Sequence, residues 1–272
     1  VFAAAPGTRV VSDDIIGTAG YSSTDYAMGS GTSFAAPMLA GVVALMYEAN
    51  PQLGYRDVQE IIAYSSRMND ASRSSWHFNK ATDWNGGGLH RSNDYGFGLI
   101  DARAAVRLAE SWKASYGTAQ TTTNAVLVTS NTVANVQIFD TTTTTLTFTV
   151  AGNEKIEWVK LNLDFIHINL NDLELVLTSP TGTQAVLLNH AGVGFADNIF
   201  AFTTPDFMGE QSAGTWTLAI RDTIQTNSGL VYSANLQFNG DAITTNNVYV
   251  YTNEFGTVTQ NAAARGVLND TN

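Results

Sequence analysis

The chain has 272 residues, 44% of them hydrophobic and 14% charged, enough apolar material for a large core and too little charge for a disordered chain. Thirteen basic residues against 24 acidic ones give a net charge of −11, which argues against a nucleic-acid-binding surface and suits a soluble exported protein. With no cysteine, the sequence excludes disulfides, thiolate metal sites and a cysteine nucleophile.

In chain order, Val1–Ala5 and Thr8–Ser12 read as short strands around the turn Pro6-Gly7, and a loop of small residues runs from Gly17 to Gly31. Ser33–Glu48 predicts a helix that is apolar nearly all round, through Phe34, Met38, Leu39, Val42, Val43, Leu45 and Met46, and is therefore expected to be buried. Pro37 fits only in its first turn, where the missing N–H has no helical partner to lose. The longest apolar stretch, Phe34–Tyr47, contains that proline and is too short to span a membrane. Tyr55–Ser65 predicts a second helix, with Val58, Ile61 and Ile62 inward and Arg56, Asp57, Gln59 and Glu60 facing water. A polar loop containing Trp84-Asn85-Gly86-Gly87-Gly88 precedes a third helix at Asp101–Trp112.

After Trp112, threonine and asparagine rise and the helical spacing disappears. Leu173, Leu175 and Leu177 alternate with Glu174, Val176 and Thr178, and Trp216, Leu218 and Ile220 alternate with polar or small residues. Turn signals at Ser179-Pro180-Thr181-Gly182, Ser212-Ala213-Gly214 and Asn227-Ser228-Gly229 separate such runs, which predicts an all-β sandwich from about Ala119 to Gly240. Trp216 is expected in its core. Asp241–Asn272 reads as a polar tail without a clear stop element.

The residues that carry chemistry cluster at Gly29-Ser30-Gly31-Thr32-Ser33-Phe34-Ala35-Ala36-Pro37. A nucleophilic serine needs an exposed Oγ beside an oxyanion site, and a helix N-terminus supplies free N–H groups and the positive end of a dipole. Gly29 and Gly31 let backbone and substrate approach closely. The competing reading makes Ser33 a helix N-cap and nothing more. Against that reading, Gly31-Thr32-Ser33-Phe34-Ala35-Ala36-Pro37 followed by Ala40-Gly41-Val42-Val43-Ala44-Leu45 resembles the serine signature of the subtilase family, and Ala5-Pro6-Gly7 resembles the motif that precedes it. Glu48-Ala49-Asn50-Pro51, Tyr55-Arg56-Asp57-Val58-Gln59 and Asp94-Tyr95-Gly96-Phe97-Gly98-Leu99-Ile100-Asp101-Ala102 resemble its kexin/furin branch. Asp172-Leu173, Leu177–Thr183 and Gly214-Thr215-Trp216-Thr217-Leu218, with Asp222 and Gly229, resemble that branch's P domain.

The resemblance implies an α/β fragment of a subtilisin-like parallel-sheet domain, followed by an all-β jelly-roll sandwich. The expected bounds are 1–114 for the C-terminal part of the catalytic domain, 119–241 for the P domain and 242–272 for a tail that begins a further region. Within the tail, Val248–Phe255 resembles segments leading into calcium-binding β-roll repeats of bacterial exported proteases, without their glycine-aspartate nonapeptides. The resemblance further implies a serine endopeptidase acting on protein or peptide substrates, a secreted and bacterial setting, Ser33 as nucleophile, and calcium in the parent enzyme at sites not assignable here.

Subtilases order their triad Asp, His, Ser, and the 32 residues before Ser33 contain no histidine. The chain opens at Val1 and is read as a cut piece, whose missing partner is the N-terminal part of the catalytic domain with the Asp, the His and the oxyanion Asn. His77, His90, His167 and His190 all follow Ser33 and match no base motif; His77 and His90 are expected in surface loops and His167 on a face of the sandwich. The expectation is therefore a fragment with little activity alone and a poorly stable first half. An alternative is a non-catalytic sandwich that binds or stabilises, with a relic serine; a sugar-binding jelly roll is disfavoured by the few aromatics placed on its surface. Asp164, Asp172, Asp197, Asp206, Glu210 and Asp222 fall near strand ends, either as oxygen ligands for calcium, with Asp172 and Asp197 first, or as turn formers and solvated edges. Asp13-Asp14 reads as a solvated pair.

Overall fold

A computed structural model describes residues 1–192, 196–260 and 262–268; the side chains at 113–116 and 196–198 are outside the description. The chain divides into two compact units, Val1–His77 with Arg91–Thr121, and Phe78–His90 with Thr122–Asn272.

The first unit begins with β1 (Val10–Asp13) and β2 (Tyr26–Gly29), an antiparallel hairpin in the register Val10↔Gly29 to Asp13↔Tyr26. Three helices follow: α1 (Thr32–Ala49), α2 (Tyr55–Ser65) and, after the short paired strands β3 (Trp76–Phe78) and β4 (His90–Ser92), α3 (Ala102–Tyr116). The strand expected at Val1–Ala5 is reduced to one parallel bridge, Ala4↔Leu99, with Ala4 N–H donating to Gly98 O at 2.8 Å and Ile100 N–H to Ala4 O at 2.9 Å. Among the described residues of this unit, that bridge is all of the expected parallel sheet.

Packing on α3 explains which helical faces are covered. Asn50 closes α1 with its backbone N–H on Met46 O, and its side-chain amide donates to Ala109 O at 2.9 Å. Asp101 caps α3 by accepting from Ala104 N–H at 2.9 Å. The polar face of α2 is buried, contrary to the sequence expectation: Arg56 is 1%, Asp57 2% and Glu60 1% exposed. Its partners lie far along the chain. Asp57 accepts from Gly54 N–H (2.6 Å), Gln120 N–H (2.8 Å) and the Trp112 indole N–H (2.8 Å), while Arg56 donates to Gln120 Oε1 and Thr121 O. A buried carboxylate is tolerable only when its lone pairs are filled in this way. By contrast, α1 is an apolar helix with a single buried residue, Met46; Leu45 is 49% and Tyr47 37% exposed.

The second unit is a sandwich of two antiparallel sheets. Its strands are β5 (Val126–Thr129), β6 (Val133–Ile138), β7 (Thr143–Val150), β8 (Glu154–His167), β9 (Leu173–Thr178), β10 (Gln184–Asn189), β11 (Ala196–Thr204), β12 (Gly214–Asp222) and β13 (Gly229–Ala242). One sheet runs β10-β9-β12-β7 and the other β11-β8-β13-β5, with β6 also on β13. The predicted alternations hold: Leu173, Leu175, Leu177, Trp216, Leu218 and Ile220 are each 0% exposed. Facing them from the other sheet are Leu161, Leu163, Phe165, Leu236 and Phe238. Each such side chain contributes roughly 1.5–3 kcal/mol of apolar burial. Trp216 sits edge-on to Phe207 at 4.8 Å and donates its indole N–H to Ser212 O at 2.8 Å, so its polar atom is satisfied inside the core.

Several carboxylates expected at solvated edges are interior. Glu210, 3% exposed, accepts from Ser179 Oγ (2.9 Å), Thr181 Oγ1 (2.6 Å), Thr183 Oγ1 and Lys80 N–H (2.9 Å). It therefore ties the β9–β10 turn and the Phe78–His90 segment to the loop before β12. Asn79 adds to this: its amide donates to Asp206 O and Met208 O, and its Oδ1 accepts from Ala81 and Leu89 N–H. The tail, expected to be polar and without a stop element, folds into α4 (Phe255–Gln260) and a 3₁₀ turn, Ala263–Gly266. Glu210→Ala should destabilise the chain by about 3 kcal/mol in urea unfolding, because it leaves buried hydroxyls unpaired. Glu174→Ala, which removes only the partly exposed pair with Arg221, should cost less than about 1 kcal/mol.

Candidate active site around Ser33

Ser33 occupies the second residue of α1 and is exposed. The turn that delivers it from β2 is fixed by backbone contacts that leave no room for side chains. Gly31 N–H donates to Gly7 O at 2.7 Å, and Arg9 N–H donates to Ser30 Oγ at 2.9 Å. A Cβ on Gly7 would lie 2.8 Å from Gly31 O, and a Cβ on Gly29 would lie 2.0 Å from the Phe34 ring. Gly31 itself has φ +149°, a conformation that side-chain-bearing residues rarely adopt. Phe34 N–H turns back to Gly31 O at 3.1 Å and starts the helix.

These contacts remove the N-cap reading of Ser33. The N-cap is Gly31, with no side-chain cap, so Ser33 does not serve as the cap. Its Oγ has no hydrogen-bond partner among the described residues. The N–H groups of Thr32 and Ser33 have no carbonyl one turn back to bond, and no acidic residue occupies the first turn to compete for them. The arrangement presents a free hydroxyl next to amides at the positive end of an 18-residue helix, which suits an anion developing on a carbonyl oxygen.

Sequence reasoning missed two residues that hold this region. Ser30 supplies the oxygen that fixes Arg9 at the start of β1. Asp14, expected to be solvated with Asp13, accepts from Ile15 N–H (2.9 Å) and Ser22 N–H (2.8 Å) and so organises the hairpin loop. An aspartate followed by a glycine-rich turn was the available signal.

No histidine is bonded to Ser33. His77 is half-buried in the first unit. His90, expected at the surface, is fully buried edge-on to Trp84, with ring centroids 4.7 Å apart. His167 lies on the same face of β8 as Phe165 and is fully buried, with Nε2 3.2 Å from Asp222 Oδ2 and Nδ1 2.9 Å from Asn169 O. That His–Asp pair has no free ring nitrogen with which to take a proton from an incoming group. His190 is exposed, with Nδ1 on Asn171 O at 2.8 Å.

Three of the carboxylates considered for calcium, Asp172, Asp222 and Glu210, do not fit that role. Asp172 has both oxygens filled by amide donors, Asn169 Nδ2 and Asn227 Nδ2, each at 2.7 Å. Asp222 faces His167 and Ile224 N–H, and Glu210 is filled by hydroxyls and an amide. Donor hydrogens aimed at a carboxylate are the opposite of a cation's oxygen shell. Asp206 is buried and bonded to Thr204 Oγ1, Asp164 is half-buried on β8, and the side chain of Asp197 lies outside the described residues.

Residues 3–98 match the model of the subtilase family, and residues 156–238 match that of the proprotein convertase P-domain. The chain belongs to the subtilase family, in its proprotein convertase branch. Over 203 residues this subtilase chain is 34% identical to proprotein convertase subtilisin/kexin type 6 of Rattus norvegicus, covering 71% of the chain and 20% of that relative. It is 34% identical over 208 residues to the type 5 protein of Homo sapiens, covering 71% of the chain and 10% of that relative. The chain thus spans a small part of the relatives it matches. The solved serine protease of Aeromonas sobria has the same fold, with a TM-score of 0.67 at 24% identity over 80% of this chain and 46% of that one. Helix α1, at 18 residues and mean hydropathy 1.3, is longer than the sequence predicted and is long and apolar enough to cross a membrane by composition alone. It lies within the segment that matches the subtilase family, and Met46 is its one buried residue.

The glycine seat of this subtilase can be tested against a neutral control. Gly29→Ala should lower stability by about 2 kcal/mol, because the Phe34 ring must move. Gly41→Ala, in open space inside α1, should raise it by about 1 kcal/mol. Thermal unfolding followed by circular dichroism separates the two signs.

Proposed function

We propose that Ser33 is the nucleophile of an exported serine endopeptidase of the subtilisin/kexin type, and that this chain alone hydrolyses peptides poorly. The observation that carries the reading is the unpartnered, exposed Oγ at the N-terminus of α1, seated by Gly7, Gly29 and Gly31. In this reading Ser33 Oγ attacks a peptide carbonyl carbon and its proton passes to a base. The carbonyl electron pair moves onto oxygen, where the Ser33 N–H and the helix end stabilise it. Collapse of that intermediate expels the amine and leaves an ester on Ser33, which water then hydrolyses.

The base is the part that this geometry does not supply. A serine hydroxyl without one is a weak nucleophile at neutral pH. We assign the histidine and its aspartate to a longer protein, together with the walls that select the substrate. Calcium, which family resemblance implies for such a protein, takes part in no step here. The sandwich serves in this reading as a stabilising module rather than a catalytic one.

Ser33→Ala, made in a protein extended by the preceding part of its gene, should reduce peptidase activity by about a millionfold, as expected when a triad nucleophile is removed. Unchanged peptide hydrolysis in that variant would overturn the assignment. The present chain should react only slowly with a fluorophosphonate probe, and rapid stoichiometric labelling at Ser33 would show that a base is present after all.

A further inference from the structure

Residues 239–272 lie beyond both family matches, and within the second unit they do something specific to the Phe78–His90 loop. Trp84 and Val250 pair as a parallel bridge. Val250 N–H donates to Asp83 O at 2.7 Å, and Asn85 N–H donates to Val250 O at 2.8 Å. The Asn85 side chain then reads the residue two further on: its amide donates to Thr252 Oγ1 and its Oδ1 accepts from Thr252 N–H, both at 2.8 Å. Between these, Tyr251 points out at 48% exposure, while Val250 is 6% exposed. This in–out–in alternation of an extended segment against one open edge is how proteins capture a peptide by adding a strand.

The acceptor loop has its own internal geometry. With the tail in place, Trp84 and Asn85 are both 0% exposed. Gly87 N–H returns to Trp84 O at 2.8 Å, and Asn85 and Gly86 have φ of 44° and 70°, a tight left-handed turn that aims the Asn85 amide outward. From behind, Asn79 and Lys80 hold the loop to Asp206, Met208 and Glu210, and Lys155 pairs with Asp83 at 2.9 Å. Farther along the tail, Arg265 donates to Gly88 O at 3.3 Å and stacks its guanidinium 4.6 Å from the Phe78 ring centroid. A Cβ on Gly86 would fall 1.8 Å from Arg265 O, so the glycines at 86 and 87 are the floor on which the tail lies. Partial burial there lowers the Arg265 pKa.

We infer that Asp83–Asn85 form a strand-acceptor site for an extended Val-x-Thr peptide, filled in cis by Val250–Thr252, so that the C-terminal segment is a strap fastened over the Phe78–His90 loop. The two ends of that loop continue into the first unit along the chain, and the strap adds its bonds to the anchors at Asn79, Lys80 and Asp83. The inference stands apart from the role given to Ser33 and holds whether or not the protein is a peptidase.

The test is hydrogen exchange on the full chain. Val250→Pro removes the N–H that Asp83 O accepts and should accelerate exchange at the Asn85 amide at least about tenfold, the equivalent of one lost hydrogen bond. The Leu218 amide, in the sandwich core, should be unaffected. Thr252→Val keeps the strand shape and should still speed exchange at Asn85 several-fold. A synthetic peptide of residues 245–268, added to the Val250→Pro chain, should restore protection, and the same peptide carrying Val250→Pro should not. Unchanged exchange at Asn85 in both variants, or failure of the unmodified peptide to restore protection, would overturn the acceptor site.

Discussion

Two stretches of backbone meet at Gly7 and Gly29–Gly31, with no space for a β-carbon on Gly7 or Gly29 and with Gly31 in a conformation that favours glycine. That crowding is the constraint on which the candidate site depends. It sets the entry angle of α1, leaves the cap position without a side chain, and puts Ser33 one residue inside the helix with its hydroxyl unclaimed. Any side chain that reached across to cap the helix would fill the space in which a substrate carbonyl must sit. The absence of carboxylates in the first turn follows the same logic, since an acidic residue there would neutralise the end that an oxyanion needs.

Stability is organised differently in the two units. The sandwich closes on its own core of aliphatic and aromatic side chains, and Glu210, Asn79 and Asp172 are each bonded to residues on other elements. The first unit buries the polar face of α2 well, through Asp57 and Arg56, yet leaves most of an apolar α1 in contact with solvent. A free Leu or Met face on an 18-residue helix is a liability unless another element covers it. The relatives, of which this chain matches 20% or less in the two mammalian convertases compared, have ample further sequence.

Periodicity made the elements legible. The helices came within a few residues of their bounds, and the period-two runs at Leu173–Leu177 and Trp216–Ile220 gave both the strands and the inward faces. The place of Ser33 at the start of α1 was legible because its neighbours are small and Pro37 fits only in a first turn. Burial of charge was not legible. Arg56, Asp57 and Glu210 look like solvated positions because the partners that justify burying them, Gln120, Trp112 and Lys80, are 55 to 130 residues away along the chain. His90 failed as a surface residue for the same reason: Trp84 packs against it only in the fold. The strap was invisible because Val250–Thr252 has too few residues for a strand pattern and pairs with a loop that sequence reading leaves irregular.

The central claim is that Ser33 Oγ and the N-terminus of α1 form one reactive unit. A crystal structure of a gene-extended form of the protein treated with a peptide boronate tests it most directly. The account predicts boron bonded to Ser33 Oγ, with one boronate oxygen about 2.7–3.1 Å from the Ser33 backbone nitrogen. Boron bound to another residue, or a Ser33 hydroxyl turned away from an occupied cleft, would contradict it.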